Sequence, residues 1–393
     1  MINKFSNYHV YAVIAYAIPI IGYINNPGSV GVFSVIQSII LLLVYIRMKK
    51  MHMLETIYID KRLKWFVAII LLGVANFLCA GNNNWGSISF MLSSILGCFN
   101  IIFYFLIQDA SSISHYLKSF LWVLIPTAVY SFLTWKGFLS FDVPHILAPL
   151  ALFFLITPFF RAKRLRFLVI VVYAYSFLSD TSVRSCLLTG MVCTLVLVTY
   201  LFTPSNLFSR LSRLMRTFFL ASPVALLCLG LWGGFNVFAE MENIDVKAAK
   251  IDSGRKSDTR MLNTDSRTGV YLDVLYSIET PKDIIVGKGI VINLETSWVD
   301  TRHSVEPGIL NIFLRYGLIG CIVFFIIIYH ATKLGIYHSN NSLTQLVAIF
   351  LSYKFLYMFI EDANINISMY LAYAICINEK IRSMTDRQLK QIL

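Results

Sequence analysis

The chain has 393 residues, long enough for two or three soluble domains, yet 57% are hydrophobic, only 14% are charged and the mean hydropathy is +0.69. A soluble domain carries roughly 25% charged residues, so that class is excluded. The net charge of +12 would suit nucleic acid, but in a membrane protein basic residues collect in cytoplasmic loops, and no nucleic-acid partner is implied.

The apolar residues come in blocks such as LLLVYI, FVAIILLGVANFL, FLVIVVYAYSFL and CIVFFIIIY. Blocks of about 20 residues cross a hydrocarbon core of roughly 30 Å as helices, which satisfy their own backbone hydrogen bonds. A membrane barrel would instead alternate apolar and polar residues. In chain order the spans are predicted at 8–24, 30–46, 64–80, 87–107, 117–134, 145–160, 166–179, 184–203, 217–238, 308–330, 343–360 and 363–378. The expected fold is therefore an all-α, polytopic helical bundle of about 12 transmembrane helices. Ten or eleven are the alternatives, because the sixth span contains Pro149 and Pro158 and only Glu361 and Asp362 divide the last two. The first block lacks a small-residue cleavage site and more spans follow at once, so it is read as an uncleaved helix.

With the N-terminus inside, the short inside loops carry Arg47, Lys49, Lys50, Lys61, Arg62 and Lys64, then Arg161, Lys163, Arg164 and Arg166, then Arg210, Arg213 and Arg216. Lys380, Arg382, Arg387 and Lys390 add to them in the tail, against only Lys136 and Arg184 in the short outside loops. This bias predicts both termini in the cytoplasm. The organisation is then helices one to nine over 1–239, a long outer loop over 240–307, helices ten to twelve over 308–378 and a cytoplasmic tail over 379–393. Within the loop, residues 268–279 have helical apolar spacing. Pro281 is expected to stop that amphipathic helix, and 284–292, with Gly287 and Gly289, to be extended or turned.

The seven cysteines lie in or beside apolar blocks with no disulfide or zinc spacing, and read as small core residues. No phosphate-binding loop is present, so ATP-driven transport by this chain is not expected. Three stretches could carry chemistry. Ser179-Asp180-Thr181-Ser182-Val183-Arg184 puts a guanidinium at the end of the eighth span, where it either faces a cavity or snorkels to headgroups. Arg267 opens the amphipathic helix, with Arg260 before it, and Tyr271, Pro281 and Gly287-Lys288-Gly289 follow. Arg302-His303-Ser304-Val305-Glu306-Pro307-Gly308 then leads into the tenth span, ahead of Arg315-Tyr316-Gly317-Leu318-Ile319-Gly320. Arginines bind phosphate bidentately, and an imidazole or carboxylate can take a proton from a hydroxyl. A solvated loop end would carry the same residues. Lys354 and Glu361, seven apart, read as a pair near the outer boundary.

Taken in order, these stretches resemble the O-antigen polymerase and O-antigen ligase superfamily. The family has Ser-Arg before small and apolar residues in a mid-chain helix, and Val183-Arg184-Ser185-Cys186-Leu187-Leu188 is similar to it. It has an arginine, an aromatic four residues later, a proline and Gly-x-Gly, matched by Arg267, Tyr271, Pro281 and Gly287-Lys288-Gly289, with Tyr in place of the common Trp. Its His-Asn-x-Tyr-Leu element precedes Gly-Leu-Ile-Gly. Here Glu306 occupies the histidine's place relative to Gly317, and His303 lies upstream. The acidic residue resembles polymerase members more than ligases.

The resemblance implies a glycosyltransferase in the bacterial inner membrane with its site on the periplasmic face. Its donor would be an oligosaccharide on undecaprenyl pyrophosphate and its acceptor an incoming lipid-linked repeat unit. Reaction would proceed with inversion and without a cofactor or metal. Glu306 or His303 would be the base, and Arg184 and Arg267, with Arg302 or Arg260, would bind the pyrophosphate. A chain-length regulator is a further implied partner. The rival readings are a ligase acting on lipid A core, a flippase and a structural membrane protein. A flippase would spread charges along several spans.

Overall fold

Apolar runs without regular alternation fold as helices, and the computed structural model follows that rule along the chain. It describes residues 2–25, 30–51, 61–79, 88, 91, 95, 98–134, 142–178, 184–231, 268–292, 294–296, 299–302, 305, 307–360 and 367–393. The first helices are α1 (Ile2–Asn25), α2 (Val30–Lys50) and α3 (Lys61–Cys79). Of the fourth predicted span, a 3-10 turn (Cys98–Ile101) and α4 (Ile102–Phe105) are described beside three isolated residues. Next comes α5 (Ala110–Thr134).

The sixth predicted span is not one helix but three pieces: α6 (Asp142–Leu147), α7 (Leu150–Leu155) and a 3-10 turn (Thr157–Phe159). Pro149 caps α7 and Pro158 sits in the turn. A proline has no N–H to continue the ladder and its ring clashes with the preceding turn, so the prolines divide the segment.

Then follow α8 (Lys163–Leu178), α9 (Arg184–Phe202) and α10 (Ser205–Leu231). Helix α10 begins well before the predicted start at 217, so the three arginines assigned to a loop lie on a helix. Spaced three apart, Arg210, Arg213 and Arg216 share one side of it. Arg216 is buried, donating from Nε to Thr332 Oγ1 at 3.0 Å and from Nη2 to the Tyr329 carbonyl at 3.2 Å. Its guanidinium also covers the Tyr329 ring at 4.5 Å. One of the charges counted toward the expected orientation is thus a packing group.

Beyond residues 232–267, which are not described, come α11 (Thr268–Tyr276) and α12 (Pro281–Val286). A short antiparallel hairpin follows, β1 (Leu294–Thr296) and β2 (Val299–Arg302), pairing Leu294 with Arg302 and Thr296 with Val299. The bundle is completed by α13 (Gly308–Tyr337), α14 (Ser342–Tyr357) and α15 (Ile367–Ile377), and the tail folds as α16 (Glu379–Ser383) and α17 (Asp386–Ile392). Helix α14 is buried on nearly every face and packs against α10, α13 and α15.

Among the described residues, three helical stretches are long and apolar enough to cross a membrane: Val32–Lys50, Ala110–Thr134 and Gly308–Tyr337. Shorter apolar helices include Leu187–Phe202 and Ile367–Ile377. Large apolar side chains also point outward, with Trp122 and Phe202 81% and 84% exposed. An apolar exterior suits hydrocarbon and would be a liability in water.

Candidate functional site

Pro281 does more than end the preceding helix. It is the first residue of α12, and the helix N-terminus is closed by a reciprocal capping box. Thr280 Oγ1 accepts from the Asp283 N–H at 3.3 Å, while Asp283 Oδ2 accepts from the Thr280 N–H at 3.0 Å. A proline at this position loses no hydrogen bond, because that N–H has no partner within the helix anyway. The expected extended stretch from 284 is therefore helical as far as Val286, where Gly287 ends it.

Gly287 (φ 76°) and Gly289 (φ 106°) bring the backbone of this turn directly against α13 and α3. The Lys288 N–H donates to the Leu314 carbonyl at 2.7 Å, the Gly289 N–H to the Arg315 carbonyl at 3.3 Å and the Ile290 N–H to the Gly73 carbonyl at 3.2 Å. Asn76 Nδ2 adds a bond to the Val286 carbonyl at 3.2 Å. The partner of this turn is a break in α13, where Gly317 adopts φ 64°, ψ −163° inside an otherwise helical run. A Cβ at Gly317 would meet the Ile285 carbonyl oxygen at 2.3 Å, and one at Gly287 would meet the Arg315 carbonyl carbon at 2.5 Å. The two glycine motifs of the sequence are thus two halves of one joint, and backbone contact leaves no room for side chains there.

The entrance to α13 is fixed by Asn311. Its Oδ1 accepts from the Val305 N–H at 2.9 Å and its Nδ2 donates to the Val305 carbonyl at 2.6 Å. Val305 and Pro307 are buried on either side of Glu306. One turn further, the Ile309 N–H donates to the Met358 carbonyl at 3.0 Å, joining this entrance to the C-terminal end of α14. Tyr271 of α11 donates its hydroxyl to the Phe359 carbonyl at 2.7 Å. Helix α9 reaches the same end of α14, where the hydroxyls of Thr189 and Tyr353 share a hydrogen bond at 3.0 Å.

Inside this ring of contacts lies Lys354, in the last turn of α14 and only 5% exposed. Its ammonium sits 4.3 Å from the Tyr357 ring centre, 5.6 Å from that of Phe350 and 5.8 Å from that of Tyr353. Desolvating an ammonium costs several kcal/mol. Cation–π contact returns about 0.5–2 kcal/mol and a helix C-terminus about 0.3–1 kcal/mol. Ionisable residues inside a membrane bundle are rare and face its interior or a partner.

Of the residues singled out in the sequence, Arg184 is the first residue of α9 and Arg302 the last of β2, and only their backbones are described. Arg260, Arg267, His303 and Glu306 lie outside the described residues, as does Glu361. What comes together is the set of elements that carry them: α9 behind Arg184, α11 behind Arg267 and the α13 entrance behind Glu306 all contact the C-terminal end of α14. Asn311, Thr189, Tyr353 and Tyr357 were not picked out from the sequence. A lone asparagine in the run Gly-Ile-Leu-Asn-Ile-Phe was the available signal for the first. The three others look like ordinary span residues. No protein-family model, no curated protein and no solved structure matches the chain.

Proposed function

We propose that this chain polymerises lipid-linked oligosaccharide repeat units at the periplasmic face of the bacterial inner membrane. A hydroxyl on the terminal sugar of the incoming unit attacks the anomeric carbon of the donor glycan. The new glycosidic C–O bond forms as the bond to undecaprenyl pyrophosphate breaks, and the departing oxygen keeps the electron pair. The hydroxyl proton passes to Glu306, with His303 as the other candidate base. Direct displacement inverts the anomeric centre. Pyrophosphate is already a good leaving group, so the main demand on the protein is to neutralise its growing charge, a role given to Arg184 and Arg267 with Arg302 or Arg260.

The observation that supports this reading is the convergence of α9, α11 and the α13 entrance on one end of α14. Three separate stretches of sequence, each leading from a proposed site residue, meet there through Thr189–Tyr353, Tyr271–Phe359 and Ile309–Met358. The bilayer orientation, the span count near a dozen and the chain-length regulator belong to the same proposal.

The test is a gel of surface polysaccharide from a deletion strain carrying wild-type, Glu306→Ala, His303→Ala or Arg267→Ala copies. A polymerase predicts single repeat units on the core in the deletion strain, and no ladder from Arg267→Ala or Glu306→Ala despite normal amounts in the membrane. A bare core in the deletion strain would instead indicate a ligase. Normal ladders from both variants would refute the mechanism.

A further inference from the structure

We propose that the cavity between α1 and α2, at the basic end of α2, binds one anionic phospholipid with Arg47 on its phosphate, a role that does not depend on the polymerase reading. The two helices run antiparallel and are tied near both ends. Gly22 lies against the Phe33 ring, which a Cβ there would strike, and the Tyr8 hydroxyl donates to Met51 Sδ at 3.1 Å. Beside the second tie opens a cavity of about 450 Å³, a volume that suits a small-molecule or lipid headgroup. Asn7 and Tyr11 line it from α1, and Ile40, Leu43, Val44 and Arg47 from α2.

Charge selects an anion. The chain holds no Asp or Glu before Glu55, whereas Lys4, Arg47, Lys49 and Lys50 are all basic. Among the described residues, the Arg47 guanidinium has neither an ion pair nor a hydrogen bond, so its donors are available to a phosphate. The shape of the cavity selects a lipid over a soluble phosphate. Ile40 and Arg47 lie on one face of α2, two turns or about 10 Å apart along its axis. The lining therefore passes from apolar side chains at Ile40 and Leu43 to polar ones at Asn7 and Arg47. A phospholipid changes in the same order, from acyl chain to phosphate. The span itself sets the depth. Val32–Lys50 is long and apolar enough to cross a membrane, and Arg47, Lys49 and Lys50 occupy its last turn. Such side chains carry their charges to the headgroups while their stems stay on apolar surface. The headgroup level then falls at the Arg47 end of the cavity, where Tyr11 supplies a ring of the kind that favours that depth.

The competing role is general: three cations at the end of a span attract any anionic lipid loosely, with no site. The experiment titrates full-length protein in detergent micelles with dioleoylphosphatidylglycerol and counts bound lipid by native mass spectrometry. Dioleoylphosphatidylcholine is the zwitterionic control, and excess glycerol 1-phosphate is the soluble competitor. The wild type should take up one phosphatidylglycerol saturably. Arg47→Gln should weaken that binding about tenfold, as expected for one lost charge-assisted contact. Leu43→Trp keeps every charge but puts an indole into the cavity, and it should weaken binding to a similar degree. Lys49→Gln with Lys50→Gln should weaken it less than Arg47→Gln alone. Unchanged binding by Leu43→Trp overturns the site, as does a loss in the double lysine variant equal to that in Arg47→Gln. Equal binding of phosphatidylcholine overturns the anion preference, and displacement by glycerol 1-phosphate overturns the lipid. Arg47 and Leu43 are exposed, so neither substitution enters the packed core. If Arg47→Gln is still not recovered from membranes, Leu43→Trp decides alone, weak binding supporting the site and wild-type binding refuting it.

Discussion

At its N-terminal end, α14 is tied to the chain's tail by amides, hydroxyls and a carboxylate. Asn341 Nδ2 donates to the carbonyls of Ile381, Met384 and Arg382 at 2.8, 3.0 and 3.3 Å, and its Oδ1 accepts from the Thr344 N–H at 2.8 Å. The Ser342 N–H and hydroxyl both donate to the Asp386 carboxylate, at 2.7 and 2.8 Å. At the C-terminal end the same helix buries an ammonium among rings and receives main-chain and tyrosine hydrogen bonds from α13 and α11. The first end is a latch in which matched short-range bonds fix the tail. The second buries a charge against aromatic rings near a helix C-terminus, both of which favour a cation. One helix therefore carries two different kinds of polar contact along its length.

Substitutions can break or sharpen that contrast. The largest expected effect is at the joint beside the site: Gly317→Ala forces a side chain into a left-handed backbone and onto the Ile285 carbonyl, and should cost on the order of 3 kcal/mol. A fall in the thermal unfolding midpoint of detergent-solubilised protein, with loss of the polysaccharide ladder, would bear this out. Asn341→Ala removes a helix cap and leaves buried carbonyls without donors, for about 2–3 kcal/mol. It should lower the unfolding midpoint and expose the tail to protease, while any protein that remains folded still makes polymer of normal length. Loss of polymer at normal protein levels would erase the division between the two ends.

Tyr271→Phe deletes a single hydrogen bond, worth about 1 kcal/mol. Because that bond docks α11, the helix that Arg267 precedes, the ladder should weaken more than the unfolding midpoint shifts. The smallest change is expected from Lys288→Met. Lys288 Nζ lies 3.1 Å from Glu279 Oε1, but the carboxylate is 79% exposed, and such pairs contribute about 0–1 kcal/mol. Polymer and unfolding midpoint should both match wild type. A marked loss of polymer would give that lysine a role in the site.

Much of the helical order was legible from apolar blocks, because a membrane span declares itself by length and composition alone. What composition could not show was which polar residues turn inward. Arg216 has the same sequence context as Arg210 and Arg213, and only the packing of α10 on α13 reveals that it reaches Thr332 and Tyr329. Pro281 read as a stop because a proline ends whatever precedes it. That it also begins α12 depended on Thr280 and Asp283 forming a capping box across it. The paired glycines at 287–289 and 317 were visible as motifs, but a motif carries no information about its partner. Lys354 reads in the sequence as a partner of Glu361, which lies outside the described residues, and the three rings beside its ammonium come from its own helix, whose sequence looks like an ordinary span.

The break at Gly317 bears on the order in which the chain is made. An uninterrupted helix supplies its own donors, but Leu314 and Arg315 take theirs from Lys288 and Gly289. In a bilayer a carbonyl without a donor is costly, so the second half of this joint can settle only once the first is present. Residues 287–289 leave the ribosome before residues 314–317. The donors therefore precede their acceptors in synthesis, and α13 can meet an already capped α12 as it enters the membrane.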